Sequence, residues 1–329
     1  MCFSSGLTSC ATRGVTSAEE YYSIGMAYFD MGKYEDAEKW LNRAQRMDKT
    51  QVASEYNLGR IAYETGRFDD AVNHFEKVIA RDKDNVMALK ALAYARIKTA
   101  DLAAVETLYR RVLELEPESA DQGYNYALVL MALKKPEQAE TVLLKYKATM
   151  AENKDTLLLL ARAQKALNKV EAADVYNQWL QDNTDAQVRY EYAQVLESAE
   201  FYVKALEEYR AVLEALPQGK PAADAAKAQT IDRAAVRFAA ARLLLIADPE
   251  KADGITELET AVTEGFSDTE KLTALLDEAG ISAAHKDEIR RIIEGVEKAA
   301  AGKASAEKKA EPDTAGGETG GTGESAAGP

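Results

Sequence analysis

Residues 18–51 read AEEYYSIGMAYFDMGKYEDAEKWLNRAQRMDKTQ, and residues 52–85 read VASEYNLGRIAYETGRFDDAVNHFEKVIARDKDN. Set one above the other, they match at a constant interval of 34. Gly25 falls on Gly59, Gly32 on Gly66, Tyr34 on Phe68, Ala37 on Ala71, Leu41 on Phe75 and Ala44 on Val78. A fixed period of this length marks a solenoid whose units are paired helices stacked on their neighbours.

The residue types suit that geometry. Gly25 and Gly59 fall inside the first helix of each pair, where glycine costs roughly 1 kcal/mol relative to alanine. Close approach of a second helix is the reason to accept that cost, and Ala37 and Ala71 are the small residues expected to face them. Gly32 and Gly66 lie where the first helix must end in a left-handed backbone. Tyr34 and Phe68 follow as aromatic plugs, with Leu41 and Phe75 further along the buried face.

This pattern of aromatics, Leu-Gly and alanines resembles the tetratricopeptide repeat, and with Cys10 (below) the chain is similar to bacterial tetratricopeptide lipoproteins. The resemblance implies an all-α, right-handed solenoid of antiparallel helical hairpins. It is specific over residues 18–85 and decays further on. Six units are expected, at 18–51, 52–85, 86–119, 120–153, 154–185 and 186–219. The third keeps the spacing with Ala93, Val105, Tyr109 and Val112, and Pro117 stops its second helix. The fourth offers Ala127, Ala139 and Leu143, with Pro136 at a helix start where a missing N–H is harmless. Ala172, Tyr176 and Trp179 carry the fifth, and Tyr192, Ala193, Tyr202, Ala205 and Tyr209 the sixth.

The register breaks after Gln218, and Gly219 to Ala228 suggests a linker or a helix overhang. Residues 220–300 are expected to hold a degenerate seventh hairpin plus two capping helices, the hairpin with Arg233 to Ala247 as its first helix and a second starting at Asp248-Pro249 that carries Gly254, Leu258 and Ala261. The capping helices follow, one begun by a Ser267/Glu270 capping box and one by Ser282. Residues 301–329 hold Gly, Ala, Glu, Lys, Thr and Ser with no aromatics, and are expected to be a disordered tail.

Composition narrows the function. Alanine, leucine, glutamate and lysine favour helices. The formal net charge is −14, which repels phosphate backbones and anionic lipid headgroups, and no basic patch stands against it; nucleic acid is not an expected partner. No apolar run of about 18 residues occurs.

Leu7-Thr8-Ser9-Cys10 looks like a bacterial lipobox, in which the cysteine is lipidated and becomes the mature N-terminus, with residues 11–17 as a tether. The segment before it lacks the positive start and apolar stretch of a signal peptide. A true start elsewhere, a trimmed segment and an accidental match all remain open. The expectation is a chain anchored by lipid at Cys10 in the bacterial envelope and facing the periplasm, with the cytoplasm as the alternative. Cys2 and Cys10 are the two cysteines, so neither a disulfide framework nor a cysteine metal cluster is expected.

Catalytic signals are thin. His74 and His285 have no acid-base spacing, and GxSxG, phosphate-loop and EF-hand patterns are missing. No enzyme, cofactor or metal is expected.

The resemblance locates a binding wall instead. In the tetratricopeptide family the concave wall is made by first-helix positions 2, 5, 9 and 12 of each unit. Position 5 here reads Tyr22, Tyr56, Lys90, Tyr124 and Leu158, with Tyr190 in the sixth unit. Position 9 reads Met26, Arg60, Tyr94, Leu128 and Arg162, and position 12 reads Phe29, Tyr63, Ile97 and Met131. Tyrosines with a few cations suit an extended peptide or amphipathic helix bearing acidic groups; such rings also pack against neighbouring repeats. The family's carboxylate clamp needs Lys and Asn at positions 5 and 9 of its first unit, and Tyr22 and Met26 stand there instead, so Asn57 and Lys90 match it only in isolation. The expected function is a non-catalytic scaffold holding a protein or peptide partner, with a homo-oligomer also open. The alternative is a binder of a small apolar ligand, or an accessory subunit of an extracytoplasmic solute transporter.

Overall fold

The computed structural model describes residues 17–148, 153–217, 231–247 and 252–310, with side chains of the last segment through 302. Among the described residues every regular element is an α-helix. The chain divides into two compact units, Met1–Trp179 and Leu180–Pro329.

In the first unit the helices come in pairs: α1 (Ala18–Asp30) with α2 (Tyr34–Met47), α3 (Val52–Glu64) with α4 (Phe68–Arg81), α5 (Val86–Lys98) with α6 (Leu102–Leu115), and α7 (Ala120–Ala132) with α8 (Pro136–Tyr146). α9 (Lys154–Ala166) and α10 (Ala172–Gln181) follow. Each pair also packs on the next, through α2 with α3, α4 with α5, α6 with α7 and α8 with α9. Local chemistry starts these helices. Ser17 and Glu20 form a reciprocal capping box, Asn85, Asp101 and Asn153 accept N–H bonds at other starts, and Pro136 occupies the first turn of α8.

The first helix of every pair ends in the same way. Gly32, Gly66, Ala100, Lys134 and Asn168 have φ between 54° and 77°, and the N–H of the next residue bonds back across the turn, as Lys33 to Tyr28 O and Lys135 to Leu130 O at 2.9 Å. This is the Schellman closure of a helix. Glycine serves it twice; elsewhere an L side chain is held in the left-handed region, at a cost of about 1–2 kcal/mol.

The glycines inside first helices touch something other than the alanines expected. A Cβ on Gly59 would lie 2.7 Å from Phe75 Cε1, and one on Gly25 would lie 2.8 Å from Leu41 Cγ. Ala37 and Ala71 are fully buried, but the large residue one turn further along sets the helix spacing. Gly123 repeats the relation against the Tyr146 ring, whose hydroxyl donates to Pro117 O at 2.7 Å.

The second unit contains α11 (Ala186–Ser198), α12 (Tyr202–Ala215), α13 (Arg233–Ala247), α14 (Asp253–Glu264), α15 (Thr269–Asp277) and α16 (Ala283–Ala310). Glu200 closes α11 with the same left-handed turn, φ 63°. The core gathers Phe238, Leu245, Leu258 and Phe266 with Leu272, Leu275, Ile289 and Ile293 from α15 and α16. Phe238 and Phe266 stack at 4.2 Å. Tyr209 donates to Glu197 at 2.5 Å, and Arg242 bridges Glu197 and Glu278. Burial first, then the Glu197 charge, pushes the Tyr209 hydroxyl far up.

Three expectations need revision here. α15 is capped by Asp268, which accepts from the Lys271 N–H at 3.0 Å, not by Ser267: the aspartate stands one residue nearer the first turn and carries the charge the helix N-terminus favours. α14 starts at Asp253; Asp248-Pro249 lies outside the described residues. α16 continues to Ala310, ten residues into the expected tail, because its alanine- and lysine-rich sequence has high helix propensity. Cys10, the lipobox, the expected linker at 219–228 and residues 311–329 lie outside the described residues.

Candidate functional site

The first helices of the opening unit meet side by side, and the expected binding positions lie along that seam. Asn57, buried on α3, donates to the Tyr22 hydroxyl on α1 at 3.1 Å. The Arg60 guanidinium lies 4.4 Å over the Phe29 ring and donates to Asn57 Oδ1 at 2.9 Å. On α7, Asn125 donates to the Tyr94 hydroxyl on α5 at 3.4 Å. Helices α3 and α5, and likewise α7 and α9, are in direct contact.

The side chains differ in how much remains free. Tyr22 and Phe29 pack on the Leu41–Ile61 core, with Phe29 edge-on to Tyr34 at 5.5 Å. Tyr56 tilts against Phe75 at 5.5 Å, and Tyr63 meets Phe68 edge-on at the same distance. Met26, Arg60, Lys90 and Tyr124 are half-buried. Burial leads the rise of the Tyr124 hydroxyl above its ordinary range, with the Asp155 charge adding to it. Tyr94 and Leu128 are exposed, at 42% and 41%, and Ile97 beside them at 39%. Tyr190 belongs to the second unit, half-buried against Tyr209 at 5.8 Å. Part of the wall is therefore packing, and its free apolar surface is centred on α5 and α7.

The cations divide too. Lys90 is neutralised by Glu116 at 2.6 Å. Among the described residues no carboxylate is paired with Arg60, whose contacts are Asn57 and the Phe29 face. Beside it Arg60, Tyr63, Glu64, Phe75, Ala91 and Tyr94 line a cleft of about 320 Å³. Glu64, Phe75 and Ala91 are not among the expected lining residues; they lie outside the position-5, -9 and -12 series, and only the packing of α3, α4 and α5 brings them in.

Glu55 carries no signal in the sequence either. It is 4% exposed and accepts from Gln45 at 2.9 Å and Lys77 at 3.1 Å, with His74 Nδ1 at 2.8 Å. This node pins α2, α3 and α4 together, which gives His74 a structural partner. Among the described residues no group of three or more His, Cys, Asp or Glu side chains could hold a metal ion, and no helix is long and apolar enough to cross a membrane.

Paired antiparallel helices on a 34-residue period, each closed by a left-handed turn and presenting its first helices along one seam, define a helical-repeat protein of the solenoid class. Residues 17–84 match the tetratricopeptide repeat family, and the hairpins of this stretch are tetratricopeptide repeats. An uncharacterized lipoprotein of Treponema pallidum (strain Nichols) is 27% identical over 168 residues, covering 51% of this chain and 86% of that protein. A tetratricopeptide repeat protein from Parabacteroides merdae aligns with TM-score 0.49 at 18% identity, over 79% of this chain and 97% of that one. MamA from Desulfovibrio magneticus RS-1 aligns with TM-score 0.46 at 19% identity, over 50% and 93% respectively.

Proposed function

We propose that this chain is a non-catalytic interaction scaffold that holds a protein partner on the first-helix seam of its opening unit. The observation that carries this reading is the exposed run Tyr94, Ile97 and Leu128 beside the uncompensated Arg60. Aromatic anchors next to a cation are what a protein interface uses for affinity and orientation. Tyr22, Met26, Phe29, Tyr56, Tyr63 and Tyr124 support and flank that run, while Tyr190 would serve a separate contact. Site-specific photocrosslinking tests it: a crosslinker at Tyr94 should trap a partner in native cells, and one at the equally exposed Leu144 on α8 should not.

The second element of the reading is a lipid anchor at Cys10 in the bacterial envelope. Leu7-Thr8-Ser9-Cys10 and the likeness to a lipoprotein support it. Intact mass of the protein from native membranes tests it: a mature chain beginning at acylated Cys10 is expected, and an unmodified N-terminus in the soluble fraction contradicts it. Recovery of a bound lipid or metabolite would favour the small-ligand alternative.

A further inference from the structure

The cleft beside Arg60 has a chemistry more particular than a general protein groove. Phe75 and Ala91 supply apolar surface, and the rings of Tyr63 and Tyr94 stand beside them. Its volume of about 320 Å³ is at the low end of small-molecule sites. Exposed Tyr94 lines it, and its hydroxyl accepts from Asn125 on α7, so an occupant can continue from the cleft toward α7. Arg60 is held by Asn57 on its own helix at 2.9 Å and by the face of Phe29 on α1 at 4.4 Å, which leaves donors of its guanidinium uncommitted. Glu64, one turn along α3 from Arg60, repels a second anion at its own part of the cleft.

We infer that this cleft is a two-part subsite for an extended peptide, taking an apolar or aromatic side chain between Tyr63 and Tyr94 and pairing the adjacent carboxylate with Arg60. The inference rests on the partner-binding reading above. A carboxylate meeting a preoriented guanidinium forms charge-assisted hydrogen bonds, stronger than those to a neutral amide. Charge supplies the register along the seam and the apolar side chain supplies the contact area.

The test uses the full chain and four fluorescent twelve-residue peptides in a Gly/Ser background, carrying Phe-Glu, Phe-Gln, Phe-Lys or Ala-Glu at the centre. Phe-Glu should bind roughly tenfold more tightly than Phe-Gln or Ala-Glu. Arg60→Glu should invert the order so that Phe-Lys binds best, while Arg60→Gln should remove the Glu-over-Gln preference; circular dichroism verifies the fold of both. Equal binding of Phe-Glu and Phe-Gln, an unchanged order in Arg60→Glu, or no binding of any peptide overturns the subsite. The Tyr94 crosslink separates the two readings: a partner trapped equally by the parent and by Arg60→Gln leaves the scaffold standing and the subsite refuted, whereas no trapped partner refutes the scaffold itself.

Discussion

Lys135 Nζ lies 2.7 Å from the Glu106 carboxylate, reaching from the start of α8 back to the second helix of the preceding pair. The same relation recurs 34 residues later as Lys169 with Glu140 at 2.6 Å, and 68 residues earlier as Arg67 with Glu38 at 2.7 Å. At the intervening unit the positions hold Asp101 and buried Val72, and Asp101 pairs with Arg96 instead. Glu106 and Glu140 are 9% and 7% exposed, so each needs its partners, which besides the lysine are Arg110 at 3.4 Å for Glu106 and the Gln164 amide at 3.2 Å for Glu140.

Lys135→Ala should therefore cost about 1 kcal/mol, by leaving a buried carboxylate short of a partner. Arg67→Ala should cost only a few tenths, because the Glu38 side chain is 33% exposed and water can replace the cation. Urea denaturation midpoints of the two variants measure the difference, and equal losses would contradict the burial argument.

Ala100 at φ 61° and Glu200 at φ 63° occupy the turn position that Gly32 and Gly66 fill. Ala100→Gly should stabilise the protein by about 0.5–1 kcal/mol, since relief of the left-handed strain exceeds the entropy glycine adds to the unfolded chain. A lower melting temperature than the parent's would show that this turn is not strained.

Gly59 and Gly295 should respond in opposite directions to alanine. At Gly59 the new Cβ meets Phe75, and overpacking should cost roughly 1–3 kcal/mol. At Gly295 on α16 nothing lies within 4 Å, and alanine should gain about 0.5–1 kcal/mol from helix propensity. Thermal melts of the two variants are sufficient to check the signs.

Glu264 gives a pH dependence to the second unit. Burial pushes its carboxyl up, but Arg237 and Arg233 together outweigh it and hold the group below its ordinary 4.5. A carboxyl depressed in the folded state contributes stability above its unfolded pKa and loses that contribution as pH falls through the folded value. The stability gap between the parent and Glu264→Gln should be full at pH 7 and shrink below about pH 4.5. A gap that stayed constant down to pH 3 would mean the arginines do not act on Glu264.

The fold class was legible because Gly25/Gly59 and Ala37/Ala71 repeat at one interval, and small residues recurring at fixed points on helical faces mark close helix crossings. Periodicity identifies a face but not the turn of the neighbouring helix that meets it, which is why Ala71 rather than Phe75 is the residue expected opposite Gly59. The left-handed turns at Ala100 and Lys134 were silent because neither residue type favours such a backbone, whereas Asn168 is of a type that does. Glu55 sits in the first turn of α3, where acidic residues are usually solvated, and nothing local reveals that Gln45, His74 and Lys77 converge on it. The binding wall was readable as a set of positions. The division between the packed Tyr56 and Tyr63 and the exposed Tyr94 and Leu128 depends on contacts that one helix cannot specify.

The central claim is that the α5–α7 seam holds a partner, and affinity capture from native extract with paired surface variants tests it most directly. Tyr94→Ala combined with Leu128→Ala removes exposed surface and the Asn125–Tyr94 hydrogen bond but leaves the Tyr56–Phe75 ring contact in place, so helicity should be unchanged, which circular dichroism checks. The parent and a Leu144→Ala control should retain the same partner, and the double variant should lose it. Retention of that partner by the double variant at parental levels would contradict the account.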